Sequence, residues 1–263
     1  MNRKLEGKTV LITGASGGLG EKIAHLSAKN GARLLLVARS REKLENICRE
    51  LETTYSVPCK YVPLDVGKYS EIESVFRTHW KNEPIDVLVN NAGFGLFKDV
   101  LSTDFQESKR MFDVNVLGLI AFTKFVLPQM INRRSGHIIN IASQAGKIAT
   151  PKSAVYSATK KAVIGFTDSL RMEVKNSGIF VTTVNPGPIA TNFFKIADES
   201  GTYLQNVGRW VLDPERVATR IVSAMLSDIR ELNMPFSMNL ASKMYTLFPR
   251  LVEAIGKPFF YKK

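Results

Sequence analysis

The sequence is poor in the residues that build covalent or metal-held scaffolds. Its 263 residues include two cysteines, Cys48 and Cys59, and three histidines, His25, His79 and His137. Neither cysteine has metal-ligand spacing or a histidine cluster nearby, so a zinc site and a disulfide framework are set aside and both are expected as reduced thiols. No run approaches the roughly 18 consecutive apolar residues of a spanning helix. The first apolar stretch, Thr9 to Ile12, is too short for a signal peptide. Repeats, low-complexity segments and long linkers are also lacking. What remains is one large α/β domain, expected to be cytoplasmic, with 44% apolar residues to fill its core.

Charge, by contrast, is plentiful and one-sided, at a net +12. Such a field suits a polyanion. Yet acids interleave with the bases, as in RSREKLENICRE at 39–50, which reads as a solvated helix, and no nucleic-acid partner is expected. A phosphate-bearing cofactor or an anionic membrane surface would use part of the field.

Two element types alternate along the chain. KTVLIT (8–13), ARLLLV (32–37), KYVPLDV (60–66), IDVLVN (85–90), GHIINIA (136–142) and IFVTTVN (179–185) read as short strands, largely apolar, as expected when both faces are covered. Helical spacing lies between them, at Leu19, Ile23 and Leu26, at Leu44, Ile47 and Leu51, and at Val155, Ala162, Phe166 and Leu170. This alternation predicts a doubly wound parallel sheet, with ligands at the carboxyl ends of its strands. The unusual residues gather there: Gly14–Gly20, Ala38-Arg39, Asp65, Asn90–Gly93, Ser143 and Pro186–Thr191 each follow or end a strand.

The glycine loop Thr13-Gly14-Ala15-Ser16-Gly17-Gly18-Leu19-Gly20 joins the first strand to the first helix. Gly14 permits the tight turn, Gly18 a close approach of backbone to a pyrophosphate, and Gly20 close packing of helix on strand. Free amides at the helix start attract the anion. After the second strand, where an acid would hold ribose hydroxyls and repel a 2′-phosphate, the chain has Ala38 and Arg39. A guanidinium at that place favours NADP(H) over NAD(H). Further along, YSATK places Tyr156 and Lys160 four residues apart, on one face of a helix. A lysine charge beside a phenol favours the phenolate and makes the pair a proton-transfer device.

With TGASGGLG, NNAG (90–93), Asn115, Ser143, YSATK and PGPIAT (186–191) in this order, the chain resembles a single-domain short-chain dehydrogenase/reductase from about residue 5 to about residue 240. The resemblance implies a Rossmann-like three-layer fold with about seven parallel strands, and a catalytic tetrad of Asn115, Ser143, Tyr156 and Lys160. It also implies cofactor contacts at Gly14, Ser16, Gly17, Gly18, Leu19, Gly20, Arg39, Asp65, Val66, Asn91, Ala92, Gly93, Tyr156, Lys160, Pro186, Gly187, Ile189 and Thr191. Some NADP-preferring members carry a basic residue in the glycine loop, where this chain has Gly17. The NADP(H) expectation therefore rests on Arg39 and the missing acid.

In that scheme Tyr156 is the general acid or base, Ser143 holds the carbonyl oxygen, and Lys160 tunes Tyr156 and holds the nicotinamide ribose. Asn115, expected within a helix from Met111 to Asn132, binds water and links Lys160 to solvent. The three histidines are expected to be structural. Phe193, Phe194, Tyr203 and Trp210, with Gly201 and Gly208, read as a lid over an apolar carbonyl or alcohol substrate. Residues 1–240 then form the dinucleotide-binding and catalytic domain. Residues 241–263 are an amphipathic basic tail, packed on the domain, a partner subunit or a membrane surface. Helices around 103–132 and 154–176 are expected to pair copies into a homodimer or homotetramer. The rival readings are an inactive NADP(H)-binding regulator or scaffold of the same fold, and a sugar-nucleotide epimerase or dehydratase, which needs a larger carboxyl-terminal domain.

Overall fold

Strands that are apolar on both faces need cover on both faces, and the computed structural model supplies it; it describes residues 4–81, 83–198 and 208–260. Expectations for Gly201, Tyr203, Lys262, Lys263 and the Lys257 side chain fall outside the described parts. Seven strands form one parallel sheet: β1 (Thr9–Thr13), β2 (Arg33–Ala38), β3 (Cys59–Pro63), β4 (Val87–Asn90), β5 (Gly136–Ile141), β6 (Ile179–Pro186) and β7 (Glu231–Met234). Their order is β3-β2-β1-β4-β5-β6-β7, so the direction of winding reverses between β1 and β4. That reversal opens the crevice in which doubly wound sheets bind ligands.

The helices are α1 (Gly18–Lys29), α2 (Arg41–Tyr55), α3 (Tyr69–Thr78), α4 (Phe105–Phe112), α5 (Gly118–Arg133), α6 (Ala154–Glu173), α7 (Phe193–Ala197), α8 (Pro214–Ala224), α9 (Phe236–Leu247) and α10 (Pro249–Phe260). Alternate residues of β1 divide the core between two layers. Val10 and Ile12 pack with Ile23 of α1, Leu44 of α2 and Ile221 of α8, while Leu11 faces the opposite layer of Ile72, Phe76 and Phe122. Each such aliphatic side chain, once fully buried, contributes about 1.5–3 kcal/mol.

Four expectations are corrected. Cys48 and Cys59 are bonded rather than free, with Cα atoms 5.3 Å apart, inside the bridging range. Ser56 turns left-handed after α2 (φ 54°), and the returning chain brings β3 alongside the helix. Linear spacing does not register that reversal. Second, the helix expected from Met111 to Asn132 starts earlier, at Phe105, behind a capping box in which Asp104 accepts from Gln106 N at 2.6 Å and Glu107 accepts from Asp104 N at 3.2 Å. It also passes through a π turn at Asp113–Leu117 before continuing as α5. Third, this helix contains an 18-residue stretch of mean hydropathy 1.6, the level of a spanning segment, which polar residues break up in a count of consecutive apolar positions. Half of that stretch is buried inside the fold, where Phe122, Val126 and Met130 join the core. Finally, β7 was not among the strands read from pattern. Its sequence ELNM is polar, and it is held at the sheet edge by Lys147 on Glu231 (2.6 Å) and Asn185 on Asn233 (3.0 Å).

Candidate active site

The turn after β1 is built for close approach. Gly14 has φ +69°, and a Cβ there would lie 2.8 Å from the Ala92 Cα; Gly18 has φ +57°. At Gly20 a Cβ would come within 2.3 Å of the Gly14 carbonyl, so the helix packs on the turn as the sequence predicts. Asn91 fixes the facing strand end: its side chain donates to the carbonyls of Thr13 (3.0 Å) and Gly14 (3.2 Å). Thr13 Oγ1 in turn accepts from the backbone of Asn91 and Ala92, both at 3.0 Å. Asn91 thus braces the loop, a structural task beyond the cofactor contact expected of it.

A cavity of about 820 Å³ begins at this loop and runs past the ends of β4, β5 and β6. It collects Gly14, Ser16, Gly17, Gly18, Leu19, Asn91, Ala92, Gly93, Ser143, Tyr156, Lys160, Pro186, Gly187, Ile189 and Thr191. Gly20, Arg39, Asp65, Val66 and Asn115 lie outside its lining. Arg39 and Asp65 sit at neighbouring strand ends. The Asp65 carboxylate is raised by burial, but bonds from Arg110 (2.6 Å to Oδ1) and Gly67 N outweigh this, with help from the Arg39 charge, and hold it below the usual range.

Tyr156 and Lys160 occupy adjacent turns of α6, and both are buried. The Lys160 ammonium lies 5.8 Å from the centre of the Tyr156 ring and donates to the Ile141 carbonyl at 2.9 Å. Burial pushes it from an ordinary 10.5 down to about 8. Ser143 follows β5 in extended backbone; its hydroxyl accepts from Ala145 N at 3.1 Å and donates to the Pro186 carbonyl at 3.4 Å. Both bonds fix the orientation of the group at the cavity wall.

Asn115 stands behind this wall, in the π turn. Its Oδ1 accepts from Phe94 N (3.0 Å), and its Nδ2 donates to Phe94 O (2.8 Å) and Thr159 Oγ1 (3.0 Å). Thr159 donates onward to the Tyr156 carbonyl at 2.7 Å. The amide therefore clasps the loop after β4 and ties it to the helix turn bearing Tyr156. π turns frequently mark such functional positions.

Other residues of the site were not read from sequence. Gly95 passes close against the Tyr156 ring, where a Cβ would lie 2.7 Å from Cδ2 and 3.1 Å from Cε2. Phe97 meets the same ring at 5.9 Å between centroids, and Phe193 at 5.7 Å. Two of the expected lid aromatics, Phe193 and Phe194, are thus an aromatic wall at the tyrosine, and Trp210 also lines the cavity. At the other end Lys43, in the first turn of α2, lines the cavity with Ser16, Gly17 and Gly18. Its place in a charged helix gave no sign of this. His137 is structural: it accepts from Leu226 N at 2.9 Å and meets Thr182 Oγ1 at 2.8 Å. Among the described residues no histidine, cysteine and carboxylate cluster suits a metal.

A doubly wound sheet with a glycine turn, a tyrosine and lysine on one helix and a serine across a common cavity defines an oxidoreductase of Rossmann type. The family description "short chain dehydrogenase" matches residues 8–200, and the chain belongs to that family, as an enzyme of the short-chain dehydrogenase/reductase type. It is 39% identical to a Drosophila melanogaster dehydrogenase/reductase SDR family protein 7-like over 231 residues, 85% of this chain and 71% of that one. The NADP-dependent 3-hydroxy acid dehydrogenase of Schizosaccharomyces pombe is 39% identical over 193 residues, 72% of this chain and 74% of that protein. Among solved structures, the closed form of a serine dehydrogenase complexed with NADP+ superposes with a TM-score of 0.78 at 31% identity, covering 86% of this chain and 94% of the other.

Proposed function

We propose that this protein is an NADP(H)-dependent oxidoreductase that interconverts an apolar ketone or aldehyde and its alcohol, with Tyr156 as general acid and base. The observation that carries this reading is the single cavity joining the glycine turn to the buried Tyr156–Lys160 pair. The residues present fit the dinucleotide: Gly14, Ser16, Gly17, Gly18 and Leu19 line the cavity at the start of α1, where a helix N-terminus suits a phosphate, and the missing Cβ of Gly14 lets this turn close against Ala92. When bound, the nicotinamide gives or takes the hydride.

The chain's own groups handle the oxygen and its proton. Tyr156 gives its hydroxyl proton to the carbonyl oxygen in reduction and takes one back in oxidation. Lys160 holds a positive charge beside the phenol, and Ser143, turning its proton away from the long 3.4 Å bond to the Pro186 carbonyl, donates to the oxygen as charge grows on it. Asn115 positions both the Phe94 loop and Tyr156 through Thr159. For the 2′-phosphate, Arg39 has a second cation in Lys43, which compensates for Gly17. Phe97, Phe193 and Phe194 give the substrate end its apolar character.

Exposed Phe105, Phe112 and Leu117 on α4–α5 and Met172 on α6 fit the expected pairing of copies. For location, a cytoplasmic protein and the Cys48–Cys59 bond point in opposite directions, because such bonds are rare in reducing compartments. Thiol alkylation in fresh lysate decides between cytosol and an oxidising lumen. A panel of carbonyl compounds followed by NADPH absorbance tests the function. Turnover with NADPH well above that with NADH is expected; tight NADPH binding with no turnover of any member would leave the scaffold reading instead.

A further inference from the structure

The carboxyl-terminal hairpin of α9 and α10 does not bury its apolar residues. Phe236, Leu240, Met244 and Leu247 recur at helical spacing along α9, and Phe248, Leu251 and Ile255 continue the series into α10. All seven are 40–79% exposed. The base of the hairpin is nevertheless firmly seated: a Cβ at Gly187 would lie 2.8 Å from Met238 Sδ, and Ser242 is buried. The hairpin also closes one side of the cavity, which Met238, Ala241, Val252, Ile255 and Gly256 help to line. Ile255 is 67% exposed while lining the cavity, so the rim of the cavity and the apolar surface share a residue.

We infer that this hairpin is a docking surface for an anionic lipid bilayer, and that the cavity opens beside it to take lipophilic carbonyl or alcohol substrates from the membrane. The inference rests on the oxidoreductase reading for its substrate, but not for its surface. Charge selects the occupant. From Phe236 onward the sequence carries Lys243, Arg250, Lys257, Lys262 and Lys263 against one acid, Glu253, on a chain of net charge +12. Lys243 and Arg250 are exposed, and Glu253 accepts from Tyr245 at 3.0 Å. A second copy would bring the same cations against this surface, whereas phosphatidylserine headgroups attract them while the leucines and phenylalanines enter the acyl boundary.

The test is flotation of the full chain with phosphatidylcholine vesicles containing about one-third phosphatidylserine, and with phosphatidylcholine alone. The comparison variant is Leu247→Glu with Leu251→Glu; both positions are exposed and outside the cavity lining. Wild type is expected to float with the anionic vesicles, less with neutral ones, and the variant to bind at least about tenfold more weakly. The variant should keep its melting temperature and its turnover of a water-soluble aldehyde, but lose turnover of a long-chain aldehyde delivered in vesicles. Equal flotation of variant and wild type overturns the proposal. So does absence of wild-type flotation together with a fall in oligomer mass of the variant by light scattering, which would assign the surface to a second copy. If no aldehyde is turned over at all, the enzymatic reading fails while flotation still reports on the surface.

Discussion

At the scale of single residues, the site depends on how tightly Tyr156 is confined. Gly95 packs against the Cδ2–Cε2 side of its ring, and a methyl group there would come within 2.7 Å of Tyr156 Cδ2 and 3.1 Å of Phe193. Gly95→Ala is therefore expected to lower kcat roughly ten- to hundredfold while leaving NADPH affinity nearly unchanged, because displacing a reacting group by a fraction of an ångström is costly. Steady-state kinetics beside cofactor titration reads both. Lys160 gives a pH dependence. Burial lowers it to about 8, so its charge is present below that pH and lost above it. Accordingly kcat/KM for NADPH in the reducing direction should fall as pH rises through about 8; a profile flat across that value would remove Lys160 from its role. Cofactor choice belongs to this scale too. Arg39→Asp combined with Lys43→Glu should raise KM for NADPH roughly ten- to hundredfold per lost charge-assisted contact and improve use of NADH. Arg39 is legible from its place after an apolar strand. Lys43 is not, because only the fold shows which face of a charged helix meets the glycine turn.

At the scale of elements, the π turn at Asp113–Leu117 is the feature that sequence conceals. DVNVLG has ordinary helical composition, and the extra residue in the turn is visible only in the backbone. Its effect is to aim Asn115 at the Phe94 backbone and Thr159 together. Asn115→Ala would remove the partners of the half-buried Phe94 N–H and C=O and of the buried Thr159 hydroxyl, at about 1 kcal/mol for each bond. A lowered denaturation midpoint together with reduced turnover is expected, and an unchanged midpoint would show that the clasp carries no load. Strands β1 to β6 could be read because their apolar runs are bounded by glycine, proline and asparagine. Polar β7 could not, since an edge strand buries little and is fixed by Lys147 and Asn185 instead. The Cys48–Cys59 pair escaped for a related reason: a helix-to-strand reversal, not a spacing rule, brings the two together.

At the scale of the whole molecule, the sorting of unusual residues to one sheet edge is legible in the sequence itself, because parallel strands separated by helices must all end on the same side. The depth of the cavity and its hairpin rim depended on packing that no local pattern encodes. Global stability should carry the signature of His137, which burial, aided by the Lys4 charge, lowers from 6.5 to about 3. The unfolded chain takes up this proton below pH 6.5 and the folded one does not until about 3. Its contribution is therefore complete above 6.5 and lost as pH falls across that window, on the order of 5 kcal/mol. Thermal unfolding of His137→Gln against wild type over that range should show a weaker acid dependence. The central claim is that the phenol of Tyr156 moves the proton while the rest of the molecule holds cofactor and substrate around it. Its most direct test is Tyr156→Phe, assayed for turnover and NADPH binding on the same preparation: a loss of roughly a hundred- to ten-thousandfold in kcat with NADPH affinity intact is the expected result, and wild-type turnover in that variant would contradict the account.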